Sequence, residues 1–216
     1  MIKLNNRLQS IANLLDKDLT YLDIGCDHGQ LEAYLLKRKY KIIGSDNKEG
    51  PLNQAKKTYK QEKVKGDLRL GDGLEAYQGE DAVIISGMGG LNIISILRNN
   101  IKKAKQVKTF ILSPNNYIEY VRKYLVRIGY HIEEEQLIKD KYIYNILVFT
   151  KGKKRYTKRE YYFGPILLKR KDKLFKEYYQ RDLNSKKIIL KLLPSNQWHR
   201  RYILNNKIKK IEKEIN

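Results

Sequence analysis

The chain has 216 residues, of which 41% are hydrophobic and 32% are charged, and its formal net charge at pH 7 is +21. This length predicts one full α/β domain with a smaller appendage. The sequence lacks a signal-peptide pattern and any apolar run near the ~18–20 residues of a membrane span, so we expect a cytoplasmic protein with no membrane partner. The single cysteine, Cys26, excludes an internal disulfide and a cysteine-based zinc site, and we expect no metal.

Strands and helices alternate through the first half of the sequence. Apolar residues at helical spacing predict a first helix over residues 2–15, and further helices follow over 29–39 and 51–61. Five apolar runs predict strands, over residues 20–24, 41–46, 64–70, 81–86 and 109–113. Alternation of this kind implies a parallel sheet with helices on both faces.

A predicted hairpin follows the five parallel strands. Residues 130–138 and 142–150 are both predicted as strands, and only Lys139, Asp140 and Lys141 separate them. A connection this short excludes a crossover helix, so the pair is predicted to be antiparallel. A parallel sheet that ends in an antiparallel hairpin resembles the class I methyltransferase version of the Rossmann architecture, whereas nicotinamide-binding sheets more often stay parallel throughout.

The remainder of the chain is predicted to be helical. Helices are expected over 166–192 and 196–215, after a basic connector that begins beyond Gly152. In the second helix, apolar residues at the spacing of a coiled-coil seam are Leu204, Ile208, Ile211 and Ile215. We therefore predict a Rossmann-like domain over residues 1–152 and a small helical coiled-coil domain over residues 153–216.

Positive charge is concentrated in the last third of the chain. Residues 1–150 hold 24 basic and 18 acidic residues, a net charge of +6, whereas residues 151–216 hold 21 and 6, a net charge of +15. A polyanion is the natural partner of such a surface, so we expect a nucleic acid, with a merely solvated basic face as the alternative. The predicted RNA-binding residues are Arg7, Lys153, Lys154, Arg155, Lys158, Arg159, Arg200 and Arg201. Such side chains contact phosphates and fix the position of an RNA rather than read its sequence.

The predicted ligand site lies at the carboxyl ends of the parallel strands, where open α/β sheets bind ligands. A dinucleotide site needs the pattern G-x-G-x-x-G after the first strand, so that bare backbone N–H groups meet the pyrophosphate. Here Asp27 stands at the second glycine position, where its carboxylate would face the negative pyrophosphate. Two like charges ~4 Å apart repel each other by about 4 kcal/mol at an effective dielectric constant of about 20. S-adenosylmethionine has no phosphate and carries an ammonium and a sulfonium, so Asp23 and Asp27 around Gly25 predict this cofactor.

The following strands end in residues of the same kind. Asp46, about 20 residues further on, is placed to accept both ribose hydroxyl hydrogens, and Asp72 is placed to accept from the adenine amine. The predicted cofactor-binding residues are Asp23, Gly25, Cys26, Asp27, His28, Asp46, Asn47, Asp72, Gly73, Gly87, Met88 and Gly89. A single acid after a strand is often only a helix N-cap, but here four consecutive strand ends carry an acid or a glycine cluster. Within this loop, Cys26 is interpreted as a small packing residue rather than a nucleophile.

Five short segments of the chain occur together in one known family. They are Asp23–His28, Gly71–Leu74, Ser86–Gly90, Ser113–Asn115 and Phe163–Pro165. This set resembles the bacterial tRNA (adenine-N1)-methyltransferases of the TrmK type, over nearly the whole chain. The resemblance implies an S-adenosylmethionine-dependent enzyme that methylates N1 of adenine 22 in tRNA. The chain departs from the family pattern, which usually has serine at Cys26 and glutamine at Ser113.

The implied reaction is a displacement at the sulfonium methyl group by adenine N1. This nitrogen has an in-plane lone pair, so alignment is expected to supply most of the acceleration. The predicted catalytic residues are Asn115, Asp27 and His28. Asn115 is placed to accept from the N6 amine of the base, which must be turned out of the tRNA and stacked. Tyr142, Tyr144 and His28 are the candidate stacking platforms.

Three other functions stay open at this point. One is a methyltransferase that acts on another structured RNA, and a second is a non-catalytic RNA-binding protein with a relic methyltransferase fold. The third is a nicotinamide oxidoreductase, which Asp27 and the missing glycine oppose. We expect a monomer whose macromolecular partner is tRNA.

Overall fold

The computed structural model describes residues 2–216 and contains a mixed sheet of seven strands. They are β1 (Thr20–Ile24), β2 (Lys41–Asp46), β3 (Leu68–Leu70), β4 (Ala82–Ser86), β5 (Thr109–Ser113), β6 (Tyr130–Lys139) and β7 (Ile143–Lys151). Their order in the sheet is β3-β2-β1-β4-β5-β7-β6. Strands β1 to β5 run parallel, and β7 lies antiparallel between β5 and β6. The predicted α/β class and the terminal antiparallel hairpin are confirmed.

Helices connect these strands and follow the sheet. They are α1 (Asn6–Ala12), α2 (Gln30–Leu36), α3 (Glu49–Gln61), α4 (Gly90–Asn99), α5 (Ile101–Ala104), α6 (Ile118–Arg127), α7 (Lys158–Phe163), α8 (Pro165–Arg170), α9 (Lys173–Leu192) and α10 (Trp198–Ile215). A short 3-10 helix spans Gly73–Ala76. None of the helices over residues 2–216 combines the length and the apolar character that a bilayer crossing requires.

The central strand β4 is buried on both faces of the sheet. Successive side chains of a strand point to opposite faces, so its residues divide between two core clusters. Val83 and Ile85 pack in one cluster with Ile93 of α4, whereas Ile84 packs in the other with Ile11 of α1. Burial on both faces explains why this strand is a continuous apolar run in the sequence.

Strand β3 is shorter than the prediction of residues 64–70. Helix α3 ends in a turn in which the Val64 N–H donates to the Tyr59 carbonyl at 3.0 Å, and Lys63 has a φ of +55°. Lys63 and Val64 therefore close the helix, and the contact with β2 begins only where the Gly44 N–H donates to the Asp67 carbonyl at 3.2 Å. The apolar character of Val64 had suggested a longer strand.

The first helix is also shorter than the prediction of residues 2–15. The side chain of Asn5 accepts a hydrogen bond from the Leu8 N–H at 2.9 Å, and this cap starts α1 at Asn6. Leu4 and Leu15 are buried although they lie outside the helix. Their apolar side chains produced the helical pattern, but they belong to the flanking loops.

A buried ion pair ties the residues after β7 to the sheet. Nε of Arg122 in α6 donates to Oε1 of Glu135 in β6 at 2.7 Å, and both side chains are fully buried. Nη1 of Arg122 donates to the carbonyls of Tyr161 and Tyr162 at 3.0 and 3.1 Å. Gly164, with a φ of +89°, lies over the pair, where an added Cβ would come 2.6 Å from the Glu135 carboxylate and 2.8 Å from the Arg122 guanidinium. The Phe-Gly-Pro segment therefore requires its glycine.

The chain divides into two compact units, one up to Ile166 and the other Leu167–Asn216. The first unit includes residues 153–166, which the sequence analysis assigned to the second domain. Besides the contacts of Arg122, the hydroxyl of Tyr156 accepts from the Ile132 N–H at 2.9 Å. These contacts hold the segment against α6 and β6. The change in charge after Gly152 thus precedes the structural boundary.

In the second unit, α9 and α10 pack against each other. The predicted helix over 166–192 is interrupted, because Lys171 has a φ of +42° and the Asp172 side chain caps α9 by accepting from the Phe175 N–H at 2.8 Å. Buried apolar residues of the two helices are Phe175, Tyr179, Leu183, Ile208, Ile211 and Ile215. Three of the four predicted seam residues are therefore buried, and Leu204 is half-buried.

Candidate active site

Two neighbouring cavities open at the carboxyl ends of the parallel strands, where the sequence analysis placed the ligand. The larger has a volume of about 440 Å³, and its predicted residues are Asp23, Gly25, Cys26, Asp27, His28, Asp46, Gly87 and Met88. The smaller has a volume of about 200 Å³, and its predicted residues are Gly25, Asp46, Asn47, Asp72, Gly73 and Met88. The structure thus brings together all the predicted cofactor residues except Gly89, which lines neither cavity.

The loop after β1 approaches Met88 closely and depends on glycine. The N–H groups of Gly25 and Cys26 both donate to the Ser45 carbonyl, at 2.8 and 2.9 Å, which fixes the loop against β2. Gly25 has a φ of +80°, and a Cβ on it would lie 2.3 Å from Cε of Met88. The backbone conformation therefore favours glycine here, and a larger residue would also have to displace the Met88 methyl group. Met88 lines both cavities, so its side chain lies between them.

Asp27 and His28 form the exposed end of the same loop. Asp27 adopts a φ of +49°, and its Oδ2 lies 3.5 Å from Nε2 of His28. Both side chains face the larger cavity, where they are available to a ligand. Among residues 2–216, no group of three or more His, Cys, Asp and Glu side chains is arranged to hold a metal ion.

Asp46 and Asp72 each shape a loop and line a cavity. Oδ1 of Asp46 accepts from the Lys48 N–H at 3.1 Å, and Asp72 begins the 3-10 helix, with its N–H donating to Oε2 of Glu75 at 3.3 Å. Asp72 is thus the N-cap of the 3-10 helix, whereas the N-cap of α3 is Lys48 and Asp46 only shapes the turn before it. Each aspartate therefore has a structural role beside its proposed binding role. Both roles are compatible, because Asp46 lines both cavities and Asp72 lines the smaller one.

Asn115 holds the glycine-rich loop after β4 in place. Its Nδ2 donates to the Gly87 carbonyl at 2.6 Å, and its backbone N–H donates to the Met88 carbonyl at 2.9 Å. Asn115 is exposed and lines neither cavity. Its contacts position the loop beside the cleft, and the predicted contact with a target base stays a prediction.

The comparison that decides the family covers most of the chain. A family model described as TrmK, tRNA (adenine(22)-N(1))-methyltransferase, matches residues 21–213. The chain belongs to this family. The resemblance found in the sequence is thereby confirmed, and the comparisons give no support to a relic RNA-binding protein.

Relatives agree with this assignment. The chain is 30% identical over 195 residues to the tRNA (adenine(22)-N(1))-methyltransferase of Bacillus subtilis, which covers 84% of this chain and 82% of the relative. A Streptococcus pneumoniae structure, of a candidate tRNA (m1A22) methyltransferase in complex with S-adenosyl-L-methionine, has a TM-score of 0.88 and 28% identity over 97% of this chain and 98% of that one. The structure of M. capricolum TrmK with S-adenosyl-homocysteine has a TM-score of 0.87 and 27% identity over 98% of this chain and 97% of that one.

In this member of the TrmK family, the sequence analysis missed a second buried carboxyl group beside Asp23. Glu32, in the first turn of α2, is fully buried, and neither of its carboxyl oxygens makes a hydrogen bond of regular geometry to residues 2–216. Burial raises the pKa of Glu32 well above its usual range, and the Asp23 carboxylate raises it further. Burial also raises the pKa of Asp23 to about 7, while Glu32 and the positive charge of Arg7 act in the opposite direction. Burial therefore favours the protonated form of both carboxyl groups over the situation in water.

Cys26 has the packing role that the sequence analysis gave it. Its side chain is buried with Leu52 and Ala55 of α3. Burial raises the pKa of its thiol, so the nucleophilic thiolate is disfavoured.

The predicted RNA-binding residues fall into three places. In the first unit, Lys153, Lys154, Arg155, Lys158 and Arg159 are exposed on and before α7. In the second unit, Arg200 is exposed, whereas Nη1 of Arg201 donates to the carbonyls of Leu190 and Leu193 at 2.9 and 2.6 Å and so satisfies the end of α9. Arg7 lies on the wall of the larger cavity. The structure therefore gives Arg201 a helix-capping contact and gives Arg7 a position inside the cleft.

Proposed function

We propose that the protein transfers the methyl group of S-adenosylmethionine to N1 of adenine 22 in tRNA. The observation that supports this proposal is that acidic residues and glycines line the two cavities at the carboxyl ends of the strands. The chain belongs to the TrmK family, whose model is described by this activity. We further propose that the protein is a monomer. We place it in the cytoplasm, with no metal ion in the reaction.

The residues of the cleft fit the chemical groups of this cofactor. Asp23 and Asp27 lie on either side of Gly25 and would attract the ammonium group, while Asp46 would accept from the ribose hydroxyls. Asp72, in the smaller cavity, would accept from the adenine amine. Several carboxylates in one cleft would repel a pyrophosphate, which argues against a nicotinamide cofactor.

The chemistry needs alignment rather than proton abstraction. The bound cofactor supplies an electrophilic methyl group on a sulfonium. Adenine N1 carries a free lone pair, so the chain has only to hold the base in line and exclude water. Asn115 fixes the Gly87–Met88 backbone and would accept from the N6 amine, and His28 with Asp27 would contact the base at the open side of the cavity. One face of the Tyr144 ring on β7 is covered by the Arg7 guanidinium, with Cζ 4.7 Å from the ring centroid, so only its other face would stack on a base.

Cofactor binding is expected to depend on the titration of Asp23. The pKa of this carboxyl is raised from 3.8 to about 7 in the folded protein, so its contribution to stability is present below pH 3.8 and is lost as the pH rises through about 7. Cofactor affinity should change in the opposite direction, because only the ionised carboxylate attracts the ammonium. We expect the dissociation constant of S-adenosylhomocysteine to rise about tenfold for each pH unit below about 7, measured by isothermal titration calorimetry.

The Asp23→Asn variant is the control for this titration. It should bind the ligand more weakly at neutral pH and show a flat pH dependence between about pH 5.5 and about pH 7. In this window the amino group of the ligand stays protonated, since α-amino groups titrate at about 7.7–8.0. A wild-type affinity that does not change over the same window would contradict the role of Asp23.

The basic segment before α7 is proposed to bind tRNA phosphates. Its lysines and arginine are exposed, and the Lys154 ammonium lies 5.7 Å from the Tyr156 ring centroid, which suits combined charge and stacking contacts. Replacing Lys153, Lys154 and Arg155 with alanine should weaken tRNA binding and reduce the slope of log affinity against log salt by roughly 2–3. Filter binding over a salt series measures both quantities.

A second triple variant, which loses the same number of positive charges elsewhere, distinguishes a specific loss of tRNA contacts from a general loss of positive charge. Lys56, Lys57 and Lys60 are exposed on α3, and their replacement with alanine should leave the salt slope closer to the wild-type value. Cofactor affinity should be unchanged in both triple variants. Unaltered tRNA affinity in the first triple variant would refute the assignment of this segment.

The proposed activity is tested directly on unmodified tRNA. The purified protein is incubated with S-adenosylmethionine and tRNA, and the nucleosides are then identified by mass spectrometry. We expect 1-methyladenosine at position 22 in tRNA and none in a tRNA whose adenine 22 is replaced by guanine. Methylation of ribosomal RNA alone would instead support the alternative substrate.

A further inference from the structure

Arg7 lies inside the larger cavity, although its position in the sequence suggested an RNA contact. It belongs to α1 and precedes the residues that the family model matches. Its guanidinium stacks over the ring of Tyr144, with Cζ 4.7 Å from the ring centroid. It also lies against the loop after β4, because a Cβ on Gly87 would be 3.3 Å from Nη2 of Arg7. These two contacts hold the guanidinium at one end of the cavity.

The guanidinium is incompletely satisfied there. Nε of Arg7 is buried and makes no hydrogen bond within residues 2–216, and no carboxylate of the described chain forms an ion pair with it. The hydroxyl of Ser86, which lines the same cavity, is also buried without a hydrogen-bond partner in the described part of the chain. Buried donors without partners are costly, so their retention indicates a ligand that accepts from them.

The charges around the larger cavity are of both signs. Asp23, Asp27 and Asp46 contribute negative charge, and Arg7 contributes positive charge close enough to lower the pKa of Asp23. A ligand that pairs with both must itself carry a cation and an anion close together. The amino-acid part of S-adenosylmethionine has an ammonium and a carboxylate on the same carbon.

We propose that Arg7 binds the carboxylate of the cofactor, with the Ser86 hydroxyl as a second donor. This inference rests on the proposed function, because it assigns a residue of the proposed cofactor site. A guanidinium presents parallel N–H donors that match the two oxygens of a carboxylate. Stacking on Tyr144 fixes the plane of the guanidinium group before the ligand binds. The short helix α1 thereby contributes a binding residue to a site otherwise formed by the ends of the strands.

The test compares two ligands that differ in this carboxylate alone. Calorimetric titrations with S-adenosylmethionine and with decarboxylated S-adenosylmethionine are performed on the wild type, Arg7→Met and Arg7→Lys. We expect Arg7→Met to weaken binding of S-adenosylmethionine by about 10-fold to 100-fold. Binding of the decarboxylated ligand should weaken much less, because loss of the Arg7 charge reaches that ligand only through a higher pKa of Asp23. The affinity of Arg7→Lys for S-adenosylmethionine should lie between those of the wild type and Arg7→Met, because lysine keeps the positive charge but lacks the two parallel N–H donors.

A matched arginine controls for the loss of a stacked side chain. Arg127 lies over the Tyr124 ring at 4.9 Å and lines neither cavity, so Arg127→Met should bind both ligands as the wild type does. Equal losses for both ligands in Arg7→Met would indicate a structural effect and overturn the inference. If Arg7→Met keeps the wild-type affinity for S-adenosylmethionine but binds tRNA more weakly, the inference is also overturned, and Arg7 is instead an RNA-binding residue. Failure of the wild type to bind S-adenosylmethionine would refute the proposed function itself.

Discussion

The Asp46→Ala variant is expected to bind S-adenosylmethionine at least about 100-fold more weakly than the wild type and to lose methyltransferase activity. Asp46 ends β2 and lines both cavities, and the proposed role of its carboxylate is to accept from the two ribose hydroxyls. Hydrogen bonds to a charged group contribute about 1.5–3 kcal/mol each, and the variant loses two of them. Titration calorimetry and a tRNA methylation assay measure the two effects.

Asp46→Asn separates binding from loop structure. The Asp46 carboxylate also accepts from the Lys48 N–H, and an asparagine oxygen preserves that contact while removing the charge. We expect Asp46→Asn to keep the wild-type melting temperature and still lose most of the affinity. Asp67→Asn is the matched control, because Asp67 is exposed just before β3 and lines neither cavity. Near-normal affinity in Asp46→Asn would show that the ribose contact is not made by this carboxylate.

The largest loss of stability is expected for Arg122→Met. This substitution leaves the Glu135 carboxylate fully buried without its cation and removes the donors to the Tyr161 and Tyr162 carbonyls. Removing one partner of a buried pair costs about 3–5 kcal/mol. For a chain of this size, that corresponds to a fall in melting temperature of roughly 6–20 °C, measured by calorimetry or circular dichroism.

A double variant distinguishes the buried charge from the loss of packing. Replacing Arg122 with methionine and Glu135 with leucine together removes both charges, so the double variant should be more stable than Arg122→Met alone. A double variant that is less stable than the single variant would mean that lost volume, rather than the uncompensated carboxylate, causes the effect.

The sequence predicted the sheet and its binding edge well, for identifiable physical reasons. Strands β4 and β5 have unbroken apolar interiors because both faces of the sheet are covered there, and both strands are followed by a glycine or a proline. Parallel strands place their carboxyl ends at one edge, so residues distant in the sequence, such as Asp23, Asp46 and Asp72, meet there.

The residues that the sequence analysis missed depend on tertiary contacts. Glu32 lies on a helix with no recognisable motif around it, and only burial beside Asp23 gives it a role. Arg7 lies in α1, and its contact with Tyr144 joins opposite ends of the first unit. The first compact unit extends beyond Gly152 to Ile166, where Arg122, paired with Glu135, also donates to the Tyr161 carbonyl. No local signal in the sequence predicts this pairing.

The position of β7 between β5 and β6 has a consequence for the order in which the chain folds during synthesis. Strand β5 has its outer edge covered only by β7, which is the last strand to leave the ribosome. Until Lys151 has emerged, the backbone groups along that edge have no strand to pair with, and an unpaired edge invites association with other chains. The nascent protein therefore has an aggregation-prone exposed edge at β5, which is covered only when β7 of the hairpin pairs with it.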